Sequence, residues 1–208
     1  MRLAFKSFLT TVFLLLTSFS FGQDFSNKGK DFWIPYPEHA NSTSSVMGIY
    51  ITSDSAATGT ITVAGTTLPF NLAANTVVRK FLGPNAAGDA PNTGVHLGSI
   101  QDGIGTGKAI HVVSDKPVVV FAHIIYQARS GASLILPVTV WGKEYILPSF
   151  PSTGNTNSYG ELCVMASQPN TQIEITPARN SRNGVRLSGV PFTVTLPNPG
   201  DVYQLQFI

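Results

Sequence analysis

The chain has 208 residues, room for one large or two modest domains, and 43% of them are hydrophobic, which excludes disorder of the whole chain. Thirteen Lys and Arg against 11 Asp and Glu leave a net charge of +2, too balanced for a nucleic-acid-binding face. A single cysteine excludes a disulfide framework and a cysteine-rich zinc site.

Met1 to Gly22 reads as a secretory signal. Arg2 and Lys6 supply the positive start, Phe8–Phe21 is uncharged and mostly apolar, and Ser20 and Gly22 are small residues ahead of a cleavage point between Gly22 and Gln23. Residues 23–28 form a short linker. Beyond it the pattern is strands: runs rich in Val, Ile, Thr and Phe bounded by Gly, Pro, Asn or Asp. Gly48–Thr52, Gly59–Val63, Thr76–Phe81 and Gln172–Thr176 are of this kind, and alternation in two of them predicts antiparallel sheet with one buried face. Ala109–Val113, Asp115-Lys116 and Pro117–Ile124 read as a hairpin around a tight turn, which sets His111 opposite Val120. No amphipathic helix follows the signal, and no later run is long enough to span a bilayer as a helix.

An internal echo organises the chain. Gly29-Lys-Asp-Phe-Trp-Ile-Pro35 matches Gly142-Lys-Glu-Tyr-Ile-Leu-Pro148, Ile49–Ser53 matches Cys163–Ser167, and Thr58–Val63 matches Asn170–Ile175. Pro69-Phe70 then matches Pro191-Phe192, and Val77–Leu82 matches Val202–Phe207. This predicts a first β-sandwich-like unit over residues 29–141 and a second over 142–208. The second lacks the counterpart of residues 83–141, including that of Ile110–Ile125, as a fragment of a longer parent chain would. The alternative is a naturally shorter unit that borrows a strand from the first.

Catalytic and metal chemistry find little footing. Gly103–Lys108 has Asp102 and Ala109 where a phosphate-binding loop needs Gly and Ser or Thr, so it reads as a turn. His39, His96, His111 and His123 have no second ligand at zinc spacing. No Gly-x-Ser-x-Gly elbow occurs, and Cys163, matched to Ile49, reads as a small buried hydrophobe. Asp31 and Glu144 correspond across the echo and look architectural, while Glu38, Asp54 and Glu161 are scattered. No cofactor is implied. Two modification signals are present: the sequon Asn41-Ser42-Thr43, and Asp54-Ser55-Ala56, an O-glycosylation acceptor pattern at Ser55. The polar loops Tyr36–Ser45 and Phe150–Tyr159, tipped with aromatics, and the stretch Tyr126–Ser133 are the binding candidates, through Tyr36, Glu38, His39, Tyr126, Arg129, Phe150 and Tyr159.

The sequence resembles the IgGFc-binding protein N-terminal domain family. The residues that carry the likeness are Gly29–Trp33, Ile51–Ser53, Thr60–Val63, Ala73–Val77, Ile110–Ala122, Leu136-Pro137 and Trp141–Tyr145, so it extends over nearly everything from Lys28 onward. The resemblance implies a secreted, non-enzymatic protein of the type found in large bacterial surface proteins, and a domain longer than this chain. The reading at this point is an all-β, duplicated antiparallel β-sandwich-like unit, its second copy incomplete, preceded by a signal-peptide helix. Its function is an exported, adhesin-like one, binding glycan or glycoprotein through loops. A carbohydrate-active enzyme requires two converging carboxylates, and a structural spacer requires the loop aromatics to pack inward.

Overall fold

A computed structural model describes residues 26–39, 44–84, 88–98, 100–148 and 159–208. The signal segment and the Gly22–Gln23 junction lie outside the described residues. Thirteen strands follow one another: β1 (Gly29–Ile34), β2 (Val46–Ser53), β3 (Ala57–Val63), β4 (Thr66–Leu72), β5 (Thr76–Gly83), β6 (Ala90–Pro91), β7 (Asp102–Gly105), β8 (Ile110–Tyr126), β9 (Arg129–Ile135), β10 (Gly160–Met165), β11 (Thr171–Ile175), β12 (Phe192–Leu196) and β13 (Val202–Phe207). Two three-residue 3-10 turns lie at Asn92–Gly94 and Val138–Val140.

The expected hairpin at residues 109–124 is instead one strand of 17 residues, β8. Its two halves keep different company. Residues 110–114 lie between β1 and β3, with Val112 opposite both Phe32 and Ile61. Residues 119–125 lie between β2 and β9, with Val120 opposite both Ile51 and Ile135. Asp115, Lys116 and Pro117 fall in the gap, where Pro117 costs no ladder bond for its missing N–H. Asp115 accepts the Thr58 N–H at 2.7 Å and Ser53 donates to the Pro117 carbonyl at 2.9 Å, which anchors the crossing. The strand thus leaves one sheet for another at an irregularity, as corner strands of sandwiches do.

Between the β4-β3-β8-β1 layer and the β6-β5-β2-β8-β9 layer lies the main core. Phe32, Ile34, Met47, Ile49, Ile51, Ile61, Leu72, Leu82, Ile110, Val112, Val118 and Val120 are buried there. Period-2 alternation explains the choice of residues: in β2, Met47, Ile49 and Ile51 face inward while Tyr50 and Thr52 face out. The β3–β4 hairpin turns on Ala64 and Gly65, both at positive φ (47° and 82°), the handedness two-residue hairpin loops require.

The remaining strands form a β10-β13-β7 sheet and a β11-β12 pair, packed over a second core of Ala166, Val194, Leu196, Tyr203 and Leu205. Their ladders occur in the same chain order as those earlier: β10 pairs β13 as β2 pairs β5, and β11 pairs β12 as β3 pairs β4, all antiparallel. In β10 the echo is one residue out of step, since Leu162 faces this core whereas Cys163 packs on the opposite side with Met165, Val202 and Trp33. Residues 103–105, expected in a turn, belong to β7 and pair with β13, so sheet pairing crosses the expected boundary at 141/142. Asp102 reinforces the joint. It accepts the Tyr203 hydroxyl at 2.5 Å and the Arg186 guanidinium at 2.8 Å.

Candidate functional site

The site is built on β13. Alternation sends Tyr203 and Leu205 into the second core and Gln204 and Gln206 to the other face. Two glutamines on a strand face would ordinarily meet water, yet both are buried. The segment after β1 covers them, and each amide finds partners, as a buried polar group must. Gln204 accepts the Glu38 N–H at 3.1 Å and donates to the Ile100 carbonyl at 2.7 Å. Gln206 Nε2 donates to Glu38 Oε2 at 3.0 Å and to Glu161 Oε1 at 2.7 Å, while its Oε1 accepts from Arg182 Nη1 at 2.8 Å.

One amide therefore ties together the segment just after Tyr36 and the start of β10. Arg182 extends the cluster by placing its guanidinium 3.8 Å from the centre of the Tyr159 ring, a cation–π contact. Burial raises Glu161 to about 7, and Glu38 adds repulsion. The Gln206 hydrogen bond and the Arg182 charge oppose the rise. His39, next to Glu38, holds Ser45 Oγ at 2.9 Å through Nδ1. Its pKa is lowered by burial and then by the positive charge of Arg129. Carboxylates, a guanidinium, an imidazole and an aromatic ring are thus assembled at the bases of the loops.

The binding candidates fare unequally. Glu38 and Tyr159 belong to this cluster, His39 follows Glu38 in the chain but bonds Ser45, and Arg129 lies opposite Tyr126 at the start of β9. Tyr36 is not exposed: it is 3% accessible, and its hydroxyl donates to the Gly48 carbonyl at 2.8 Å. The inward period of Phe32 and Ile34 simply runs on to Tyr36. Burial also raises its pKa. Tyr126 sits opposite Arg129 at the β8–β9 turn, with its hydroxyl accepting from Gln127 Nε2 at 3.3 Å. Phe150 and the sequon at Asn41 lie outside the described residues. Ser55 is exposed in the bend between β2 and β3.

The other acidic residues engage elsewhere. Asp31 pairs with His111 Nε2 at 2.8 Å, and that ring stacks on Trp33 at 3.9 Å. Asp54 pairs with Lys28 at 2.7 Å on the surface. Glu144 is exposed. A cavity of about 190 Å³ adjoins Trp33, His111 and Gly200, and neither Glu38 nor Glu161 lines it. Cys163 is enclosed enough for burial to push its thiol pKa up, and such thiols are inert.

Sequence reading did not single out Arg182, Gln204 or Gln206. The one signal was Gln-Leu-Gln in an otherwise apolar strand, which alternation assigns to solvent. Residues 131–207 match the model of the family described as IgGFc binding protein. The match begins inside β9 and ends with β13, so the earlier residues that carry the resemblance lie outside it. No curated protein and no solved structure matches the chain.

Proposed function

From the match of residues 131–207 to the family described as IgGFc binding protein, we propose that this is an exported, non-enzymatic, adhesin-like protein that binds glycan or glycoprotein beside this cluster. The family is one of binding domains. The observation that carries the reading is the Gln206 amide holding Glu38 and Glu161 together, with Arg182 over Tyr159. Glu38, His39, Arg129 and Tyr159 are the contact residues, and Arg182 fixes the ring that stacks on a sugar face. The two carboxylates do converge, which the enzyme alternative requires. Each, however, gives one oxygen to the same bridging amide, and the nearby cation stacks on an aromatic ring.

The test is an array of glycans, mucins and an immunoglobulin Fc fragment probed with the 208-residue chain and with Tyr159→Ala and Arg182→Ala. Binding to a glycan or glycoprotein that both variants weaken by tenfold or more supports the proposal. Binding that neither variant changes removes the site from it. Silence across the array refutes the binding function.

A further inference from the structure

In the first half of the molecule three segments share one neighbour. β1, β2 and β3 all pair with β8, which stitches the two layers of the sandwich together. The second half repeats the ladders that flank this strand but contains no strand in its place among the described residues. β10 ends its sheet and β11 ends its pair. The segment matched to β1, residues 142–148, forms no strand at all. Tyr145 and Leu147 are 64% and 57% exposed there, where their counterparts Phe32 and Ile34 are fully buried, and Ile146, the counterpart of the half-buried Trp33, is 99% exposed. The second core is open on the same side: Leu162 on β10 and Ile173 on β11 are only partly buried, whereas Ile49 and Ile61 of β2 and β3 are completely so.

We propose that the open edges of β10 and β11, with residues 142–147, form a docking slot for one extended strand with the residue pattern of β8. Such a strand would continue the β7-β13-β10 sheet with one half and the β11-β12 pair with the other. Its inward residues would cap Leu162 and Ile173, as Val112, Val118 and Val120 cap their equivalents. Recognition is by main-chain bonds, with alternate apolar side chains giving specificity, the mode of strand addition. An edge left open is otherwise a template for unwanted pairing.

Hydrogen bonding identifies the groups that would receive it. The Gln206 N–H donates to Gln101 and its carbonyl accepts from Arg182, on the side away from β10. Tyr203, Leu205 and Phe207 therefore bond β10 through Val164, Leu162 and Gly160. Glu161, Cys163 and Met165 aim their backbone groups at the open edge. In β11 the Asn170 N–H donates to Pro197, so Thr171, Ile173 and Ile175 face outward in the same way. This surface shares Glu161 with the loop-base cluster, through its backbone rather than its carboxylate, and strand addition there does not depend on a ligand at the cluster.

The experiment is amide hydrogen exchange on the intact chain with a synthetic peptide of the β8 sequence, residues 110–126. A second peptide of that sequence, N-methylated at alternate residues, lacks the donors. The expected result is a rise in protection of tenfold or more at Glu161, Cys163, Met165, Thr171, Ile173 and Ile175 with the first peptide and no rise with the second. No rise at millimolar peptide overturns the proposal. So does protection confined to β2 and β3, which would mean exchange with the resident β8. Concentration-dependent protection without peptide would assign the slot to a second copy of the chain and overturn the stated occupant.

Discussion

Replacing Glu161 by glutamine isolates the energetic consequence of the loop-base cluster. Glutamine keeps an oxygen to accept from Gln206 Nε2 but never carries charge. Burial and Glu38 lift the Glu161 pKa from 4.5 to about 7. The native state therefore prefers the protonated form, and that contribution to stability is complete below about 4.5 and is lost as pH rises through about 7. A shift of this size corresponds to ~3.5 kcal/mol at most between the two ends of the window, at ~1.4 kcal/mol per pH unit. Partial exposure trims it toward ~2 kcal/mol. Urea denaturation of both proteins from pH 4 to pH 8.5 reads the difference directly. Other titrating groups are common to both chains and cancel. The variant should match the parent near pH 4 and exceed it by ~2 to 3 kcal/mol above pH 8. A difference that does not change with pH, or a less stable variant at pH 8, would refute burial of this carboxylate against Glu38.

Asp102→Asn should cost ~2 to 3 kcal/mol at neutral pH, because Arg186 and the Tyr203 hydroxyl lose a charged acceptor, and denaturant midpoints measure it. Although burial acts to raise the Asp102 pKa, bonds from Tyr203 and Arg186 hold it below its ordinary 3.8, so the parent's advantage should be present above that value and fade as pH falls through the lowered one. Tyr36→Phe leaves the buried Gly48 carbonyl without its donor and should destabilise by ~1 kcal/mol, read by thermal unfolding. Gly200→Ala should destabilise and shift tryptophan fluorescence. The residue sits at φ 83°, and an added Cβ would approach the Trp33 ring to 2.7 Å.

Much of the architecture is legible in local pattern. Alternation places Met47, Ile49 and Ile51 inside, and the same period reaches Tyr36, whose burial was therefore readable although its setting in a polar loop suggested exposure. Composition alone announces an all-β chain, because short β-branched runs between Gly, Pro and Asn leave no helical stripe. The β8 strand shows where this logic fails. Asp115-Lys116-Pro117 carries turn chemistry, and nothing in its neighbours reveals that the chain runs straight on to change sheets. Pro117 is compatible with a turn and equally with an unpaired strand position, and only the partners on either side decide between them.

The all-β character and the inward and outward residues of strands such as β2 were determined by the sequence itself, since a period of two is a property of consecutive residues. What covers a strand face is not. Gln204 and Gln206 are buried because Pro35–His39, more than 160 positions earlier, crosses over them, and β13 gains a neighbour because β7, far earlier in the chain, pairs with it. Glu38 and Glu161 share one amide for the same reason. Contacts between distant segments are set by how sheets stack and cross, so the loop-base cluster exists only in the folded molecule.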